Sequence, residues 1–218
     1  MPKMQKIEIL APAGGYDSLV AAVRSGADAV YLGEKSFSAR TSAKNFSDDE
    51  LKKAVAYCHI HGVKVYVTIN TLIFDDEFEQ LKRAIISAAE ADADALIVQN
   101  QGVARLAKKI VPKLPLHAST QTSVHTASGV RALYEMGFKR VVLSREMSKE
   151  EIRKCAEIPI ELEVFVHGAL CMSVSGQCYF SAMLGSRSGN RGACAQTCRL
   201  PFSVGKNKDM HSALRTTA

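Results

Sequence analysis

The chain has 218 residues, of which 47% are hydrophobic and 23% charged, with a formal net charge of +6. That balance is that of a globular protein with its own substantial core, and it excludes the disordered and fibrous classes. The first six residues run directly into a strand-like segment without the apolar stretch of a secretory leader, so the chain is expected to be cytoplasmic. In that compartment thiols stay reduced, and clustered cysteines point to metal or redox chemistry before disulfides.

Short apolar, β-rich runs alternate with longer amphipathic segments. Strands are predicted at Ile7–Ala11, Asp28–Gly33, Val63–Asn70, Asp94–Gln99, Leu116–Ser119, Arg140–Ser144 and Ile160–Val166. Helices are predicted at Tyr16–Ser25, Asp48–His61, Asp75–Ala91, Gln101–Val111, Thr122–Met136 and Lys149–Ala156. Two of the helix starts are well marked: Ser47 with Glu50, and Ser148 with Glu151, each form a capping box. A strand-plus-helix unit repeating every 25 to 35 residues or so predicts a TIM-like (βα) barrel that stops after its seventh strand, with an open doubly wound sheet as the competing fold. No GxGxxG or Walker loop follows the first strand, where APAGG has adjacent glycines, and this weakens the nucleotide-binding version of that competitor. The barrel domain is expected to span 1–202, with a cysteine-bearing loop at 167–199 and a basic, disordered tail at 203–218.

In such a barrel the carboxyl ends of the strands converge on the active-site face. The groups expected there are polar: Glu34, Asn70, Gln99, Ser119, Gln121, Arg145, Glu146 and His167, with Asn70, Gln99, Ser119 and Gln121 as candidates for substrate binding. Taken singly, each is better explained as a polar residue closing a loop, and only together do they look like a lined pocket. Glu161 and Glu163 alternate on the seventh strand and share a face, so Glu163 is a candidate acid, while facing the base or rim is the plainer role for both.

The segment His167–Arg199 holds five glycines, three arginines and four of the six cysteines, spaced Cys171-x6-Cys178-x15-Cys194-x3-Cys198. Only the last pair has zinc-finger spacing. Four thiolates on a glycine-rich loop equally suit a four-iron cluster, and from spacing alone zinc and iron-sulfur stand level. His167, four residues before Cys171, raises a Cys/His nucleophile as a further option, though no local protease signature surrounds it. Charge is uneven as well: up to Leu184 there are 22 basic against 21 acidic residues, and from Gly185 onward 6 against 1. A polyanion such as RNA would be drawn to that end, and a solvated basic tail accounts for it equally well.

The runs EILAPAGGYDSLVAAVRSGADAVYLGEKSFSAR, VKVYVTINTLIFDDE, LHASTQTSVH and FVHGALCMSVSGQCYFSAMLGSRSGNRGACAQTCRLPF together resemble the collagenase-like peptidase family U-32, over roughly Glu8–Phe202. The resemblance implies a TIM-like barrel and a 4Fe-4S cluster on Cys171, Cys178 and Cys194, with Cys198 or a cysteine further downstream as the fourth ligand. It also implies one of two activities. One is oxygen-independent hydroxylation of tRNA or rRNA bases, or of a quinone precursor, with prephenate as the small carboxylate oxygen donor in the RNA branch. The other is the proteolysis recorded in the family name, a hydrolase reading in which His167 and Cys171 act. Arg145, Arg187 and Arg191 become candidates for carboxylate or phosphate recognition, because guanidinium groups bind both in bidentate fashion. Family members continue past the CAQTCRLPF block, so an inactive truncated fragment is a third expectation.

Overall fold

The β-branched and leucine-rich runs form strands because both of their faces are buried, as parallel sheets require. A computed structural model describes residues 7–40 and 43–201; the tail expected at 203–218 lies outside them. The strands are β1 (Leu10–Ala13), β2 (Ala29–Gly33), β3 (Lys64–Ile69), β4 (Ala95–Val98), β5 (Leu116–Ala118), β6 (Arg140–Val142) and β7 (Glu161–Glu163). The helices are α1 (Tyr16–Arg24), α2 (Asp48–Ile60), α3 (Phe78–Glu90), α4 (Gln101–Ile110), α5 (Ala127–Glu135), α6 (Lys149–Cys155) and α7 (Phe180–Gly185). A helix follows every strand, which is the TIM-like (βα) repeat.

Packing divides the chain into two compact units, Met1–His117 and Ala118–Ala218. In the first, β1, β2, β3 and β4 pair in parallel and in chain order, with registers such as Ala11↔Val30, Gly33↔Thr68 and Ile69↔Val98. Leu19, Val30, Leu32, Leu51, Val65, Val67, Leu81, Ile85 and Leu96 are fully enclosed between these strands and their helices. In the second unit β6 and β7 pair in parallel, Arg140↔Glu161 through Val142↔Glu163, and Val130, Leu133, Val141, Leu143, Cys155 and Ile158 form the buried set.

Several boundaries differ from the sequence reading, among them the start of α3, which follows a 3-10 turn at Asp75–Glu77, and three of the differences have a clear local reason. Strand β1 begins at Leu10 because Asp28 Oδ2 accepts from Ile9 N at 3.0 Å and leaves Ile7 and Ile9 exposed before the ladder starts. Strand β7 ends at Glu163 because β6 is short: the pairing closes with Leu143 N donating to Glu163 O, and Val166 beyond it is 91% exposed. The helix expected over Thr122–Met136 is split. A 3-10 turn at Thr120–Thr122 ends on left-handed Ser123 (φ 59°), and Thr126, whose Oγ1 accepts from Gly129 N at 3.1 Å, starts α5. The sequence reading also contained no α7; six residues inside an uncharged, glycine-rich loop carry little periodic signal.

Both capping boxes form. Ser148 N donates to Glu151 Oε2 at 2.6 Å and Glu151 N to Ser148 Oγ at 3.3 Å; Ser47 and Glu50 do the same at 2.9 and 3.4 Å. Hydrogen bonds from the serine backbone and hydroxyl hold both glutamates below their ordinary value. A depressed folded-state value means that this contribution is present above the unfolded value and is lost as pH falls through the folded one. Ser148→Ala is expected to cost about 1 kcal/mol in denaturant unfolding at neutral pH, and an unchanged midpoint would count against the cap.

Candidate functional site

In the first unit the strand-end groups are engaged mainly in holding their own loops. Asn70 Oδ1 accepts from Ala39 N at 2.9 Å and Asn70 N donates to Phe37 O, which fixes the segment after β2. Thr68 Oγ1 donates to Leu32 O at 3.1 Å and lies 3.2 Å from Ser38 Oγ. That segment passes so close to Gly33 that a Cβ there would stand 2.4 Å from Ser38 Oγ. Gln99 Oε1 is buried with no hydrogen bond among the described residues, a polar group free to meet a ligand or water.

Glu34 sits directly after β2 and is 7% exposed, with Oε1 buried and unbonded among the described residues. Burial pushes its carboxyl up to about 7, and the Asp48 carboxylate adds to the rise. It lines an open cavity of about 470 Å3 with Lys35, Ser36, Phe46, Ser47, Asp48 and Asp49. A carboxyl that titrates near neutrality beside a cavity is a candidate proton donor or acceptor. The sequence placed Glu34 at a strand end, but its burial depends on Phe46 and α2 folding over it.

In the second unit Ser119 is buried, and its Oγ accepts from Gln121 N at 3.2 Å, so it shapes the turn after β5. Glu163 accepts from Arg140 Nη1 at 3.5 Å, and Arg140 also holds Glu161 through Nε at 2.9 Å and Nη2 at 2.6 Å. Arg140 and Glu161 open β6 and β7 while Glu163 closes β7, so these ion pairs run along the short ladder. Arg145 has its Nε buried and unbonded among the described residues, while His167 is exposed on the segment after β7. Arg187 Nε donates to Ala193 O at 3.2 Å, and Arg191 closes a 3-10 turn at Gly189–Arg191.

The cysteine loop folds back on itself. Gly189 stands where two arms meet, its missing Cβ position 3.6 Å from Cys194 Cβ and 4.0 Å from Cys178 O. Ala195 N donates to Ser181 Oγ at 2.9 Å, and Arg199 Nη2 to Leu170 O at 3.0 Å, which joins the flanks of Cys198 and Cys171. All four cysteines are free thiols, Cys171 and Cys194 exposed and the other two half-buried, and Cys194 Sγ already accepts from Gln196 N at 3.4 Å. By donor chemistry this set fits a thiolate-held cluster. Among the described residues, however, no three Cys, His, Asp or Glu side chains stand in metal-ligand geometry. Cys58 and Cys155 are free and fully buried, and burial, with Asp94 next, pushes Cys58 up to about 11, which makes it an inert packing thiol.

The sequence placed Glu146 among the polar strand-end groups, but gave no sign of its partner Ser175. Glu146, just after β6, accepts from Ser175 N at 2.5 Å through Oε1 and from Ser175 Oγ at 3.0 Å through Oε2, and lies 3.6 Å from His125 Nε2. Burial works to raise this carboxyl, but hydrogen bonds from its own backbone and from Ser175, together with the Arg145 charge, outweigh it and hold the group below its ordinary value. The constellation is not that of a serine hydrolase. Ser175 is fully buried, its hydroxyl donates to the carboxylate instead of an imidazole, and His125 Nδ1 pairs with Ser123 O at 2.7 Å.

Fold and loop together define the class: parallel βα units carrying a four-thiol loop after the seventh strand. The model of peptidase family U32 matches residues 14–217, and the chain belongs to that family. Its relatives include the 23S rRNA 5-hydroxycytidine C2501 synthase of Escherichia coli, 40% identical over 91% of this chain and 30% of that protein. The tRNA hydroxylation protein P of Helicobacter pylori strain J99 is 40% identical over 91% of this chain and 48% of that protein. A protein named collagenase from Porphyromonas gingivalis is 39% identical over 93% and 51%. The chain thus spans between about a third and a half of the length of these relatives. Among solved structures, the U32 peptidase Mk0906 superposes with a TM-score of 0.61 at 14% identity, covering 75% of this chain and 72% of that one, a likeness of fold. Among the described residues no helix is long and apolar enough to cross a membrane.

Proposed function

We propose that the chain serves the oxygen-independent hydroxylation of a tRNA or rRNA base in the cytoplasm, with a 4Fe-4S cluster held by Cys171, Cys178, Cys194 and Cys198. The observation that carries this reading is the loop of four free thiols in a chain about 40% identical to proteins named for RNA hydroxylation. When bound, a cluster of this type supplies electron transfer. The chain's own groups would do the binding. Arg187 and Arg191 on the cysteine loop suit RNA phosphates, and Arg145 suits a small carboxylate such as prephenate, the oxygen donor implied by the family resemblance. Each unit offers its own polar groups for binding, Asn70 and Gln99 in the first and Ser119 and Gln121 in the second, and Glu34 of the first, near neutrality, is suited to exchange a proton.

Anaerobically purified protein is expected to be brown, with roughly four irons per chain and four sulfides to match. A colourless protein with stoichiometric zinc and no iron would overturn the cofactor assignment. With RNA and donor supplied, a mass gain of one oxygen on an RNA nucleoside is the expected product. The relative named collagenase keeps a peptidase as the second reading, in which His167 and Cys171 act. Gelatin hydrolysis abolished by His167→Ala or Cys171→Ala would favour it over the first.

A further inference from the structure

We infer that Glu146 is the positioning residue of the cysteine loop: it fixes the arm between Cys171 and Cys178 by gripping Ser175, without touching either thiol. The inference rests on the reading of that loop as a cofactor holder, while its first test does not.

Between Glu163, where β7 ends, and Phe180, where α7 begins, the chain has no regular secondary structure, and Val164, Phe165, Val166, Leu170, Met172 and Val174 are exposed. Apolar burial therefore does little to hold this stretch, and its conformation has to come from polar contacts. Apart from the Arg199 bond to Leu170 O, the side-chain contacts gather on one residue. Ser175 is fully buried, and its three polar groups are all bonded: N and Oγ to the two Glu146 carboxylate oxygens, and O to Ser123 Oγ at 2.7 Å. Arg145 N adds a longer contact to Ser175 Oγ at 3.5 Å, and Gln177 Nε2 donates to the same Ser123 hydroxyl at 2.8 Å. Gly176 between them has φ +74° and no room for a side chain against Gln121 O and Ser123 Oγ.

Glu146 is the only charged member of this knot that accepts two hydrogen bonds from one residue, and bonds to an ionised acceptor are about twice as strong as neutral ones. Ser175 lies four residues after Cys171 and three before Cys178. At 3.3–3.6 Å per residue, roughly, the anchor limits how far either thiol can stray. Glu146 thus acts on the thiols through backbone alone, which is why no motif around the cysteines reveals it.

The test uses the full chain and the variants Glu146→Ala and Glu146→Gln, with Glu150→Ala as a control on the exposed face of α6. The first readout, on metal-free protein, is backbone hydrogen exchange of the 173–178 segment and the alkylation rates of Cys171 and Cys178. Loss of a charge-assisted pair should speed both by about tenfold in Glu146→Ala, less in Glu146→Gln, with the segment Arg140–Val142 unchanged. The second readout is loss of iron to a chelator from reconstituted protein, expected to quicken by a similar factor. Unchanged exchange and alkylation would overturn the inference, and so would faster exchange with unchanged iron loss in a wild type that binds iron. If the wild type takes up no iron, the cofactor reading falls, and the exchange and alkylation rates alone decide whether Glu146 positions the loop.

Discussion

An alanine at position 176 is expected to destabilise the second compact unit by roughly 2–4 kcal/mol, the sum of a left-handed backbone penalty and an overpacking penalty. Gly176 has φ +74°, and its missing Cβ would stand 2.4 Å from Gln121 O and 2.5 Å from Ser123 Oγ. The carbonyl is backbone and cannot rotate away. Ser123 cannot yield cheaply either, because it is itself left-handed and its hydroxyl joins Ser175 to Gln177. Gly26 separates the two penalties: it has φ +86° with nothing within 4 Å of a Cβ, so Gly26→Ala should show the backbone part alone, about 1 kcal/mol. Urea unfolding of both variants measures the difference, and equal losses would mean that the close approach at Gly176 contributes nothing.

Glu34→Gln should have the opposite sign. The folded-state value of Glu34, about 7, lies above its ordinary 4.5, so the folded protein holds this proton more tightly than the unfolded chain does. The Glu34 contribution to stability therefore falls as pH rises from about 4.5 to about 7 and stays depressed above that. Glutamine keeps the shape and cannot ionise. The variant should match the wild type near pH 4 and exceed it above pH 7 by up to about 3 kcal/mol, the free-energy equivalent of the shift. Unfolding free energies at pH 5 and pH 8 decide it, and parallel curves for the two proteins would place the Glu34 carboxyl in water. If Glu34 also exchanges the substrate proton, the stabilised variant should lose turnover.

What could be read in the sequence was what local chemistry determines. Ser47 and Ser148 announced their helices because the whole capping device lies within four residues, and the buried runs of β2, β3 and β4 declared themselves through composition. The ends of elements were harder, since they depend on a neighbour's length: Ile160–Val166 reads as one strand, yet β6 supplies partners only as far as Glu163. Of the site, the thiols were legible by type and spacing. Their support was not, because Glu146 showed only as one strand-end polar group among several and its partner Ser175, 29 residues away, carried no signal of its own. Glu34 was visible as a strand-end acid, but its altered acidity comes from burial, which only the folded chain creates.

The loop thiols also stand apart from the residues that make their unit fold. Val130, Val141 and Leu143 are enclosed without help from Cys171 or Cys194, which are exposed, and the loop is tied down by Glu146, Ser123 and Arg199. A structural zinc finger, by contrast, is unfolded without its metal. Were the loop to hold the cofactor proposed for it, oxidative loss of that group would be a repairable injury: the polypeptide would keep its shape, and a fresh group could be installed by delivery alone, with no need for new synthesis of the protein.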